Sequence, residues 1–138
     1  MGRIVAIDFG QKRTGIAVTD DLQMIATGLD TVETYRLMDY LSDYLKNNMV
    51  ERFVIGEPKQ MNNTPSESAV FIAPFIDRLK KAFPGIPVDR ADERFTSLLA
   101  TRAIRDAGAS RKQRRDKALV DMVSATILLQ SYLDMYKS

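Results

Sequence analysis

Four places in the chain put carboxylates where they could do chemistry: Asp8, Glu57, the pair Asp92–Glu93, and Asp121. The first two close short apolar runs, Ile4–Ile7 and Phe53–Ile55, and the third follows a short strand-like stretch, Ile86–Ala91. Such runs read as buried strands, so these acids stand where a strand leaves the core. The fourth lies inside a long apolar segment, where an acid is costly unless it is solvated, paired or metal-bound. Carboxylate clusters of this kind hold hard divalent cations, Mg²⁺ or Mn²⁺. Two such ions about 4 Å apart can activate water and stabilise a leaving oxygen in phosphoryl transfer. The chain contains no His and no Cys, which removes the usual zinc sites and the Ser-His and Cys-His nucleophile pairs. It also removes disulfides, which fits the cytoplasm.

Basic residues accompany each acid. Lys12 and Arg13 follow Asp8, Lys59 follows Glu57, and Arg94 follows Glu93. The segment Ser110–Lys117, with Arg111, Lys112, Arg114, Arg115 and Lys117, precedes Asp121. Basic runs are usually solvated surface. Four basic elements beside four acids favour a groove for a nucleic-acid backbone. The net charge of +2 says little by itself. For the acids the plain alternatives are a turn-capping Asp8 and an Asp121 paired with Lys117 one helical turn earlier.

The elements that must position these groups follow from periodicity. With 138 residues, 45% hydrophobic and 28% charged, the chain reads as one globular domain, residues 1–138, without a membrane span or signal peptide. Ile4–Ile7 and Thr14–Thr19 form a hairpin around Phe9–Arg13, and Met24–Val32 is a third strand with Gly28 as a bulge or bend. A helix is expected over Thr34–Asn48, capped by Thr34 and stopped at Asn47-Asn48. Phe53–Ile55 is the fourth strand. A second helix starts at Thr64 with Pro65 and Glu67 as its capping signature, carries Ile72, Ile76, Leu79 and Phe83 on its buried stripe, and ends at Pro84-Gly85. Pro74 interrupts its hydrogen bonding. Ile86–Ala91 is the fifth strand. A helix from Thr96 or Ser97 to about Ala107 follows, and a last helix runs from about Arg114 to Met135. The expected architecture is α/β, a five-stranded mixed sheet with three antiparallel strands, then parallel strands, and helices on both faces. Asp8, Glu57 and Glu93 would then share the carboxyl edge of the parallel strands.

In order along the chain stand Ala6-Ile7-Asp8-Phe9-Gly10 with Arg13–Val18, Val54-Ile55-Gly56 with Pro58, Asp92-Glu93-Arg94-Phe95-Thr96, and Asp121 with Ile127–Gln130. In this the sequence resembles, over nearly its whole length, the YqgF/RuvX family of Holliday junction resolvases, also described as pre-16S rRNA processing nucleases, within the RNase H-like superfamily. The resemblance implies an RNase H-like fold and a catalytic set of Asp8, Glu93 and Asp121. It implies a metal-dependent nuclease active on an rRNA precursor or a DNA junction, as a monomer or weak homodimer, in the cytoplasm. Arg94 and Thr96 would contact substrate or cap a helix, and Asp92 would support the turn. Glu57 departs from the family pattern, which has an apolar residue there. It is a spare ligand, a replacement for Glu93, or a surface charge, and the surface charge ranks first.

Two other classes remain open. Asp8-Phe9-Gly10 with Gly15 is also similar to the phosphate loop of actin-like sugar kinases and ATPases, although those clasp nucleotide between two domains. A non-catalytic RNA-binding assembly factor would share the basic segments. Acids facing a phosphate groove argue against it, since they repel the ligand unless metals bridge them.

Overall fold

Strict alternation in the first hairpin splits its side chains between two cores. Val5, Ile7, Ile16 and Val18 belong to one buried cluster, and Ile4, Ala6 and Ala17 to another. A strand with both faces covered is therefore the centre of the sheet, with helices on either side. The computed structural model describes residues 2–57, 69–92, 102–104 and 117–137. Its strands are β1 (Arg3–Asp8), β2 (Arg13–Thr19), β3 (Ala26–Glu33), β4 (Val50–Glu57) and β5 (Val88–Asp92). The helices are α1 (Leu37–Asn47), α2 (Ala69–Ala82) and α3 (Lys117–Lys137). The strand order is β3-β2-β1-β4-β5. β1 pairs antiparallel with β2 and parallel with β4; β2–β3 is antiparallel and β4–β5 parallel. This is the five-stranded mixed sheet expected from the sequence.

One face of the sheet packs on α1 and α2. Phe53, Ile55 and Phe9 meet Leu37, Leu41, Ile72, Phe75 and Leu79 there. The Phe9 and Phe75 rings lie 5.1 Å apart, which ties the turn after β1 to α2. The other face packs on α3, with Ile4, Ala6, Ala17 and Val54 against Ala125, Leu128, Leu129 and Leu133. Here the sheet offers small residues, and the helix comes very close. A Cβ on Gly15 would collide with the Asp121 carbonyl oxygen, and one on Gly28 would lie 2.8 Å from Met122 Cγ. Gly28 also stands at the expected bulge, since the β2–β3 register slips between Ile16 and Ala17.

Thr34 differs from its expected role. Residues Thr34–Arg36 form a 3-10 turn before α1, and neither helix start has a side-chain cap. The Thr34 hydroxyl instead donates to the Gly10 carbonyl at 2.7 Å and lies 3.0 Å from Thr14 Oγ1. The β1–β2 turn holds that hydroxyl, so it cannot cap a helix. α1 does stop at Asn47, where Asn48 turns extended. Pro74 lies inside α2, and Ile72, Ile76 and Leu79 are buried as expected. The Thr64 cap and most of the 97–107 helix lie outside the described residues, of which 102–104 are helical.

Candidate active site

Asp8 ends β1 and shares the parity of Ile4 and Ala6, so it belongs to the α3 face. Its neighbours in register are both glycines, Gly15 on β2 and Gly56 on β4. No side chain flanks the carboxylate across either strand, which leaves bare backbone where another group can approach. Asp121 arrives from the first turns of α3, its backbone resting on Gly15. The N-terminal end of α3 is held over the sheet by Thr31 on β3, whose hydroxyl donates to the Ala118 carbonyl at 2.6 Å. The two acids thus stand on either side of one glycine.

Asp121 is 26% exposed, and Arg13 Nε donates to its Oδ2 at 2.9 Å. Burial pushes its carboxyl above the ordinary value; Arg13 and, more weakly, Lys117 oppose that shift. A carboxylate in this position gains from a nearby cation. Its hydrogen-bonded partner is therefore Arg13, not the Lys117 that helical spacing suggests. The guanidinium reaches from β2, where Arg13 shares the parity of Gly15 and Ala17.

The other expected residues divide as follows. Glu57 ends β4 one residue past Gly56, and its backbone partner is Asp92 on β5. It is Gly56, not Glu57, that stands in register with Asp8. Glu93, Lys59, Arg94, Thr96, Arg111, Lys112, Arg114 and Arg115 lie outside the described residues. Among the described residues no three acids converge on a point that could hold a metal ion. Two of the three expected acids, Asp8 and Asp121, are brought together; the third is Glu93. Lys12 lies in the β1–β2 turn, and its carbonyl accepts from the Thr34 N–H at 2.9 Å.

A family model described as RuvX, Holliday junction resolvase, matches residues 2–135. The chain belongs to the RuvX family. A RuvX relative from Christiangramia forsetii, named "Putative pre-16S rRNA nuclease", is 56% identical over 96% of this chain and 98% of its own. A relative of the same name from Bacteroides fragilis is 58% identical over 97% of each. In fold, the chain matches Thermus thermophilus RuvC, solved with a Holliday junction substrate, at TM-score 0.58 and 19% identity, covering 98% of this chain and 96% of that one. It also matches the Fowlpox virus resolvase, solved with junction DNA, at TM-score 0.57 and 11% identity over 99% of both chains. These likenesses establish an RNase H-like fold. Within the RuvX chain, sequence reasoning missed the Arg13–Asp121 pair. A glycine inside a strand marks a close approach, and at Gly15 it is the α3 backbone that approaches.

Proposed function

We propose that this RuvX chain is a divalent-metal-dependent nuclease that trims precursor 16S rRNA in the cytoplasm during ribosome biogenesis. The observation carrying this reading is Asp8 set between two glycines and facing the same side as Asp121. The relatives' shared name supports the choice of rRNA.

The donor chemistry fits Mg²⁺ or Mn²⁺. Asp8 and Asp121 offer hard carboxylate oxygens, and burial leaves Asp121 in want of positive charge. Asp8, Glu93 and Asp121 would hold the ions, in a two-metal arrangement. When bound, they supply an acidified water and neutralise charge on the phosphate. The chain's own residues do the rest. Gly15 seats the α3 backbone, and Gly56 keeps the β4 side of Asp8 free of a side chain. Arg13 steadies Asp121 and keeps its carboxylate ionised. Lys12, Lys59, Arg94, Thr96, Arg111, Lys112, Arg114 and Arg115 would grip the backbone of the substrate. Glu57 is a surface charge in this scheme. One domain acts as a monomer or weak homodimer.

A second reading, resolution of four-way DNA junctions, is favoured by the description of the family model. It would need two copies for symmetric cuts. The test is cleavage of labelled precursor rRNA, single-stranded RNA and a four-way DNA junction in Mg²⁺ and in Mn²⁺, with Asp8→Asn alongside. Metal-dependent cutting of the rRNA precursor, reduced by about a thousandfold or more in Asp8→Asn, is expected. Cutting of the junction alone selects the second reading. Equal cutting by both proteins removes the metal site from consideration.

A further inference from the structure

The turn that follows Asp8 also forms the rim of a cleft on the opposite, α1/α2 side of the sheet. That cleft has a volume of about 620 Å³, and Lys12, Tyr35, Phe71 and Arg78 stand around it with Gln11 and Thr34. Its size falls in the usual range for ligand clefts, roughly 300–1,000 Å³. Tyr35 is 73% exposed and Phe71 46%. Both rings are strongly exposed, and both line this one cleft. Exposed rings lose apolar burial, so two of them beside two cations indicate a binding surface.

The charge has a sign and a boundary. Among the described residues no acid lines this cleft. On the other side of Tyr35 lies a second hollow, of about 630 Å³, where Glu33, Asp39 and Asp43 outweigh the single cation Arg36. A polyanion is therefore accepted on one side of Tyr35 and repelled on the other. The Tyr35 ring is itself positioned, with the Arg36 guanidinium 5.4 Å from its centroid and Arg36 Nε donating to its hydroxyl at 3.1 Å. The rim is fixed to the active site, because Thr34 bonds both Gly10 and Lys12.

We propose that this cleft binds an unpaired stretch of the RNA strand next to the cut, with bases stacked on Tyr35 and Phe71 and phosphates held by Lys12 and Arg78. Aromatic stacking combined with a basic track is how proteins hold single strands without reading their sequence. The inference rests on the nuclease reading for the position of the cut, but not for the binding itself. It names the substrate class: a duplex flanked by single strand, entered from the unpaired side.

The test uses the full chain and a short RNA duplex, either blunt or with a single-stranded overhang carrying 2-aminopurine. Wild type should bind the overhung duplex about tenfold tighter than the blunt one and quench the 2-aminopurine. Tyr35→Ala and Phe71→Ala should each remove about five- to tenfold of the overhung affinity, and the quenching, with blunt binding unchanged. Tyr35→Phe should retain both, since it keeps the ring. Arg78→Ala should lower the salt dependence of overhung binding by about one phosphate contact. The proposal is overturned if wild type gains nothing from the overhang, or if the double variant lacking both rings keeps the gain. Cleavage of precursor rRNA measured in parallel separates the two ideas. Cutting without an overhang preference sinks the cleft alone; ring-dependent overhang binding without cutting sinks the nuclease alone.

Discussion

The two faces of this sheet solve different problems. The face toward α1 and α2 is filled by Phe9, Phe53, Phe75 and branched aliphatics, an ordinary thick core. The face toward α3 adds Ala6, Gly15, Ala17 and Gly28 to Ile4 and Val54, and at Gly15 it is so thin that helix backbone rests on strand backbone. Large side chains hold a helix at a distance and maximise apolar burial. Small ones give up burial and fix the helix's height and rotation by backbone contact. Only the second arrangement places an acid on a helix against an acid on a strand. Here the thick face supplies stability, and the thin face supplies position.

The largest expected break comes on the thick face. Phe53 is fully buried, so Phe53→Ala should cost about 3–5 kcal/mol in chemical denaturation, with the metal requirement of the remaining folded protein unchanged. On the thin face, Gly15→Ala forces a Cβ into the Asp121 carbonyl. It should cost about 1–3 kcal/mol, yet reduce cleavage by tenfold or more at temperatures where the variant is fully folded. Full activity in folded Gly15→Ala would mean that the height of the helix does not matter.

A subtler effect distinguishes the faces by pH. Burial raises the Asp121 carboxyl above its ordinary value, so the folded protein resists ionisation more than the unfolded chain does. The stability associated with the protonated form is complete below the unfolded value and is lost as pH rises through the raised folded value. In metal-free protein, Asp121→Asn should therefore have the higher Tm at neutral pH, with the difference vanishing in acid. Mg²⁺ or Mn²⁺ should raise the Tm of wild type and leave Asp121→Asn nearly unmoved. The smallest effect is expected at Glu57. Gly56 holds the register position beside Asp8, so Glu57→Gln should alter the cleavage rate by no more than about twofold, the size of an ordinary surface change. A large loss would make Glu57 a ligand.

What was legible in the sequence was what is local. Asp8 at the end of an apolar run, the hairpin after it and the bulge at Gly28 each depend on a few adjacent residues. The strand directions followed from connection rules, because helix crossovers force parallel pairing and short links force antiparallel; the order, with β4 beside β1, comes from the structure. Asp121 was visible as a charge out of place. Its partner was not, because Arg13 and Asp121 are 108 residues apart and helical spacing offered Lys117 instead. Thr34 misled for a related reason. Its position before an amphipathic segment suggests a cap, but the β1–β2 turn engages its hydroxyl first. The cleft was invisible, because Tyr35 and Phe71 come from different elements and no periodicity links them.

The span between Arg13 and Asp121 also bears on synthesis. β1 and β2 leave the ribosome well before α3, since Arg13 and Asp121 are 108 residues apart, and a domain completes its packing only when its later elements are free. A nascent chain thus carries Asp8 without Asp121. If cleavage needs both acids, as proposed, the nuclease would be inert until α3 has packed, while the RNA closest to it is the ribosome making it.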